Sequence, residues 1–305
     1  EGDLDGEVTL KGPSSSPLIN GQVKLDSVYL SSEMYGARFR MDDHPLVIAD
    51  SKILFDDFSV YTQKDNPFRL AGDINFADFS NILFNLRMTA RNYELINAPK
   101  RKNSILFGKV FVDVFSTLQG NLDNLKMRGN INVLGNTDVN YILKDSPLTV
   151  EDRLSGLVTF VDFNDTVTVN DKIIAPIYNT GGVDVLMTLR IDEGAQARVN
   201  LDENGDNYIS LNGGGNLSMQ YTPQGDLTLS GRYTLIGGMM KYALPVIPLK
   251  EFQFVNGSYV DWTGNPMNPS LNLTATERVR ASVSDGDDGG SRMVNFDVSI
   301  SIGEP

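Results

Sequence analysis

The chain has 305 residues, with 26 Lys and Arg against 39 Asp and Glu and a formal charge of −13. So acidic a balance disfavours nucleic acid and anionic lipid headgroups as partners, because both demand a net basic surface. Cysteine is absent and histidine occurs once, which removes disulfides, thiolate metal sites and most imidazole chemistry.

A cysteine-free chain fits an oxidising compartment, where stray thiols are a liability. No run approaches the roughly 18 consecutive apolar residues of a membrane helix, and no signal peptide opens the chain. Residue 1 is Glu rather than Met, and both ends sit inside the same repeating pattern. The expectation is a piece of a longer chain.

The N-terminal third repeats a loose cassette of glycine, apolar–polar alternation and turn. It occurs at Gly6 to Leu10, Gly21 to Leu25, Gly72 to Phe76, Gly120 to Leu122 and Gly129 to Val133. The spacing is irregular and fits no short solenoid period. A glycine ahead of each strand is expected to supply the backbone angles of turns and bulges. Asn20-Gly21, Asn204-Gly205, Gln224-Gly225 and Asp285-Gly286 are predicted hairpin turns.

A basic loop from Pro99 to Lys102 precedes a strand over Ile105 to Leu118. Val110, Val112 and Val114 face one way in that strand and Phe111 and Phe115 the other, which predicts cover on both sides. Helix signals are thin; Ser146 to Arg153, with Pro147 at the first helical position, predicts at most one turn. A subdivision fits near 145–153 or 171–182, but no linker composition marks either place. The chain is read as one continuous β unit over 1–305.

From residue 183 onward the alternation is regular. Val183, Val185, Met187, Leu189 and Ile191 share one face of an extended segment. Ala195, Ala197, Val199 and Leu201 alternate with polar residues, as do Leu217, Met219 and Tyr221, then Leu227 and Leu229. Phe252 and Phe254, then Leu271, Leu273 and Ala275, continue the device, and Val294, Phe296, Val298, Ile300 and Ile302 close it. The polar run Ser284 to Gly290 is a hairpin tip. Glycine clusters at 181–182, 213–215 and 237–238 mark places where strands bend hard. A sheet bent repeatedly curls into a trough.

No constellation for chemistry stands out. His44, beside Asp42, Asp43 and Pro45, reads as a turn residue. Nucleophile elbow, P-loop and dinucleotide fingerprints are missing. Asp202 to Asp206 resembles a calcium loop only faintly, because Gly213 stands where the bidentate Glu belongs; it reads as a hairpin turn. Asp287 and Asp288 read as an acidic loop tip. A pair of glycosidase acids can come from any two strands, and nothing singles one out. The expectations are therefore no enzyme, no catalytic residue, no metal and no cofactor. What remains is the apolar face, which belongs either to an ordinary sandwich core closed at about 10 Å or to a wider groove that acyl chains fill.

The segment Gly237 to Ala275 carries a resemblance. It runs Gly237-Gly238, Tyr242, Pro245, Pro248, Lys250 and Phe252-Gln253-Phe254, then Gly257 to Gly264 and Asn268-Pro269-Ser270-Leu271-Asn272-Leu273-Thr274-Ala275. With Gly225 to Tyr233, it resembles the C-terminal domain of the TamB family, strongly from about residue 105 onward and loosely before. That resemblance implies an all-β, elongated and strongly curved sheet forming a U-shaped trough with an apolar interior.

It also implies a periplasmic protein of a two-membrane bacterium, with an inner-membrane anchor outside this chain and a BamA-type outer-membrane barrel as partner. The function implied is outer-membrane biogenesis by conducting phospholipid between membranes, with phospholipid acyl chains as the cargo. Candidate groove-lining residues are Val183, Val185, Met187, Leu189, Ile191, Val199, Leu217, Met219, Leu227, Leu229, Phe252, Phe254, Leu271, Leu273, Val294, Phe296, Val298 and Ile300. Two alternatives stay open: a chaperone-like scaffold for outer-membrane proteins, with Val294 to Ile302 as its edge, and an extracellular glycan-binding or adhesin domain. The single Trp262 lowers the glycan reading, which calls for aromatic platforms. Family members continue beyond the equivalent of Pro305, into the segment expected to meet the partner.

Overall fold

The computed structural model describes residues 2–13, 18–32, 37–62, 65–101, 104–143, 182–202, 204–242, 250–285 and 290–303. The predicted helical turn at Ser146 to Arg153 and the candidate subdivision near 145–153 or 171–182, but for Gly182, lie outside them. Every element described is a strand, and all nineteen join one sheet.

The sheet starts at β1 (Asp3–Lys11), β2 (Leu18–Asp26), β3 (Tyr29–Ser32), β4 (Ala37–Met41), β5 (Leu46–Ala49), β6 (Lys52–Tyr61) and β7 (Phe68–Asn75). It continues through β8 (Leu83–Ala98), β9 (Leu106–Asn121), β10 (Asn124–Val133) and β11 (Asp138–Ile142). Next come β12 (Val183–Ile191), β13 (Gln196–Asn200), β14 (Tyr208–Tyr221) and β15 (Leu227–Tyr242). It ends with β16 (Lys250–Phe254), β17 (Tyr259–Gly264), β18 (Ser270–Asp285) and β19 (Gly290–Gly303). Pairing is antiparallel throughout except at one junction, where β10 runs parallel to β12 and β11 parallel to β13.

Several of these strands are halves of one long rung. Strands β10 and β11 both pair with β9, and the turn Leu134 to Thr137 separates them. Both β12 and β13 pair with β14, interrupted at 192–195, and β17 and β16 pair with β15, interrupted at 255–258. The uninterrupted rungs are irregular at the corresponding level: β14 shifts register between Asn212 and Gly213, and β8 shifts between Ala90 and Tyr93 and again between Glu94 and Ile96.

Backbone bonds stitch these breaks to one another. Asp192 N–H donates to the Val133 carbonyl, Leu235 N–H to Ser258, and Val255 N–H to Thr274. The result is a crease crossing the sheet from β8 to β18, with an arm on each side of it. One apolar cluster draws on both arms: Tyr233, Ile191 and Trp262 from the first, Phe252, Phe254, Ile209 and Met240 from the second. The sheet is therefore bent toward its apolar face, an arrangement consistent with a trough.

Two turn expectations change. Asn20-Gly21 lies in the middle of β2, with Gly21 opposite Val8, rather than at a hairpin tip. The cassette glycines likewise sit inside strands rather than ahead of them. Gly72 shows why: its φ is +123°, and a Cβ there would lie 2.1 Å from the Asn85 carbonyl oxygen on β8. The local letters of a turn and of a close strand approach are the same. Gly72→Ala is expected to cost on the order of 1–3 kcal/mol, from strain at a left-handed φ plus a backbone clash. Gly237, with nothing within 4 Å of a built Cβ, is the control. Thermal denaturation should separate the two, with Gly237→Ala near wild type.

Asn204-Gly205 and Gln224-Gly225 do turn the chain, into β14 and β15 respectively, and β18 and β19 form the hairpin expected from Asp285. The tip at 286–289 lies outside the described residues. Asp202 accounts for its acidic loop: its carboxylate accepts N–H bonds from Gly205, Asp206 and Asn207. In β9, Val110, Val112 and Val114 join an inner cluster with Tyr93, Ile131 and Val133. Phe111 on the other side is buried, but Phe115 is exposed, so cover on both sides holds only at the crease.

Candidate functional site: the apolar inner face

Register, more than periodicity, defines the inner face. Side chains opposite one another across a ladder sit on the same side of the sheet, so apolar positions in register form rows perpendicular to the strands. One row runs Leu70, Met88, Ser116, Gly129, Met187, Met219, Leu229 and Gly264. Crossing eight strands at about 4.8 Å each, it is about 34 Å long. The next row toward the crease runs Phe68, Ala90, Val114, Ile131, Leu189, Leu217, Gly231 and Trp262. The next row outward runs Gly72, Leu86, Leu118, Met127, Val185, Tyr221 and Leu227, with Leu125 and Val183 beyond it. On the second arm Leu106, Tyr141, Val199, Ile209, Met240 and Phe252 are in register.

The predicted lining residues are thus brought onto one face. Val112, Val133 and Ile191 begin the row nearest the crease, which continues through Gly215, Tyr233, Val260 and Leu271. Phe254 opposes Ala275, which opposes Ile300; Val294, Phe296 and Val298 extend the face along β19. Sequence reading missed Leu235 and Tyr233, although they continue the Leu227 and Leu229 alternation through Gly231. It also missed Glu277, which falls on the inner row of β18 opposite Val298.

The outer face carries the ionic pairs. Arg232 meets Asp261 at 2.6 and 2.7 Å, Arg278 meets Asp297 at 2.8 Å, and Arg128 meets Asp184 at 2.5 Å. Each guanidinium holds its partner's carboxyl below the usual range at Asp261 and Asp297. Inside, the electrostatics reverse. Burial pushes the hydroxyls of Tyr93 and Tyr233, both beside the crease, up to about 12. Burial of this kind beside the crease suits hydrocarbon better than charge.

Exposure varies along this face. Leu235 is 0 % and Met187 1 % exposed, and Leu217, Tyr233, Phe252 and Phe254 are also buried. Leu271 and Leu273 are half-buried, as are Val183, Val185, Leu189, Ile191, Val199, Met219, Leu229 and Val294. Toward the ends the face opens: Phe296 is 45 % and Val298 44 % exposed on β19, and Leu4 72 % on β1. Ile300 and Leu227 are exposed too. Among the described residues β19, which carries Val294 to Ile302, pairs only with β18.

His44 proves to be a turn residue between β4 and β5. Its Nδ1 lies 2.6 Å from Asp42 Oδ1, and Asp42 Oδ2 accepts the Ser59 N–H. The hydrogen bond to Asp42 and then that carboxylate's charge raise the His44 pKa. Burial alone would raise Asp42, but the N–H groups of His44 and Ser59 and the imidazole outweigh it and leave Asp42 lowered.

A raised imidazole contributes stability in full below its ordinary 6.5 and loses it as pH climbs through the folded value. A lowered carboxyl contributes above 3.8 and loses it as pH falls through its own folded value. The thermal midpoint should therefore fall slightly as pH rises from the ordinary 6.5 through the higher folded value, and His44→Asn should flatten that slope.

The family model described as the TamB C-terminal domain matches residues 56–304. No curated protein and no solved structure matches the chain significantly. The match covers most of the sequence, including every rung of the creased region, and the chain belongs to the TamB C-terminal domain family, an envelope family of bacteria with a role in outer-membrane biogenesis.

Proposed function

We propose that the inner face is a path for phospholipid acyl chains, used in the periplasm to move lipid between the inner and outer membranes. The single observation that carries this reading is the in-register row from Leu70 to Gly264, apolar but for the small Ser116 over eight strands. An acyl chain in water loses roughly 0.8 kcal/mol per exposed CH₂, and a largely apolar row shelters it without a fixed binding point. Sliding then has no deep minimum to escape. The role is one of binding and conduction, not catalysis.

A second reading rests on a different observation, the edge of β19 unpaired among the described residues, with Phe296 and Val298 exposed beside it. Such an edge accepts an extended amphipathic strand by adding to the sheet, as a client outer-membrane protein or a BamA-type barrel partner would require.

Phospholipid and an amphipathic β-peptide offered to the same preparation discriminate the two. Under conduction, Leu229→Glu lowers phospholipid binding at least about tenfold, the equivalent of 1.4 kcal/mol, and spares peptide binding. Under templating, Val298→Pro abolishes peptide capture and Leu229→Glu changes nothing. Phospholipid binding untouched by Leu229→Glu contradicts the path.

A further inference from the structure

We infer that the crease is a hinge and that the packed middle of the inner face, from β12 to β17, is a gate that a lipid must open. The inference rests on the lipid-path reading. The face is shut there by protein: Met187, Leu217, Tyr233 and Leu235 are all buried. Exposed apolar residues lie at both ends of the same face, Leu4 and Leu10 on β1 and Phe296 and Val298 on β19. A face exposed on β1 and β19 and closed between them conducts only if the closed stretch parts.

The backbone is built to allow this at one level. Each rung from β10 to β17 carries a glycine at the crease: Gly135, Gly194, Gly213, Gly237 and Gly257 in chain order of the rungs. Gly135 and Gly194 face one another so closely that a Cβ on Gly194 would lie 3.1 Å from the Gly135 Cα. Hinges are a few positions that absorb a φ/ψ change while the flanking elements keep their own pairing. Here the ladders on either side of the crease are complete, while at the breaks the regular ladder gives way to isolated backbone bonds such as Asp192 N–H to the Val133 carbonyl and Leu235 N–H to Ser258. Swinging one arm exchanges side chain contacts in the shared cluster for contacts with an acyl chain of the same polarity. The lipid thereby supplies the differential affinity that a shift toward the open state requires. The rung on β9 has no glycine at this level, so the motion belongs to the shut stretch.

The test measures the distance between the arms. The chain has no cysteine, so Cys at Thr228 and Glu251, both exposed and on the outer faces of opposite arms, take spin labels uniquely. Monomeric diheptanoylphosphatidylcholine is the probe, with native mass spectrometry of the same sample reading its binding. The expected result is a separation longer by about 5 Å when the lipid binds, one added layer beyond the roughly 10 Å of two packed sheets. Gly237→Ala, which meets no neighbour, should narrow that shift while the fold stays intact. Lipid bound at unchanged separation overturns the hinge and leaves the path standing. No bound lipid overturns both.

Discussion

Leu235→Asp should unfold the centre of the sheet, at a cost of roughly 4 kcal/mol or more, whereas Leu229→Glu should leave the fold standing. Leu235 is fully buried in the cluster that joins both arms, with Tyr233, Phe252 and Phe254 around it. A carboxylate there finds no cation in its cluster, which is hydrophobic throughout, while Arg128, Arg232 and Arg278 lie on the outer face, each paired to an aspartate. Leu229 lies in the same strand on the same face but is only half-buried and sits away from the crease. A glutamate there can swing its head toward water. Chemical denaturation of the two variants measures the contrast. Met187→Glu, at a residue as buried as Leu235, should follow Leu235→Asp and not Leu229→Glu.

The second large effect concerns the open end. Phe296→Glu combined with Val298→Glu should slow phospholipid transfer between donor and acceptor vesicles by more than about tenfold, because desolvating even one carboxylate costs more than the 1.4 kcal/mol per decade. These side chains are exposed and support no core, so the far-ultraviolet signature and melting midpoint should stay near wild type. Lipid already held in the packed middle should remain. Transfer at the wild-type rate would mean that lipid does not leave across β19.

Much of this architecture was legible because the inner face is written twice over, in alternation and in glycine. Val294 to Ile302 alternates strictly, and Val183 to Ile191 departs from alternation only at Leu186, so one face of each is apolar. Two features were not legible, and for different reasons. The crease depends on which residues fall opposite one another, so the turns at 134–137, 192–195 and 255–258 look unrelated until pairing aligns them. The parallel junction of β10 with β12 is non-local in the same way. The packed state of Met187 and Leu217 was hidden because a period of two distinguishes inside from outside, and says nothing about whether the inside is filled. Asn20-Gly21 failed as a turn because glycine serves close strand approach as readily as it serves hairpins.

The most direct measurement is mass spectrometry of organic extracts from the chain purified without detergent, beside a β-sandwich protein prepared identically. The account predicts co-purifying phospholipid in the wild type and its loss in Leu229→Glu at unchanged fold. An extract no richer in lipid than the sandwich control would contradict it.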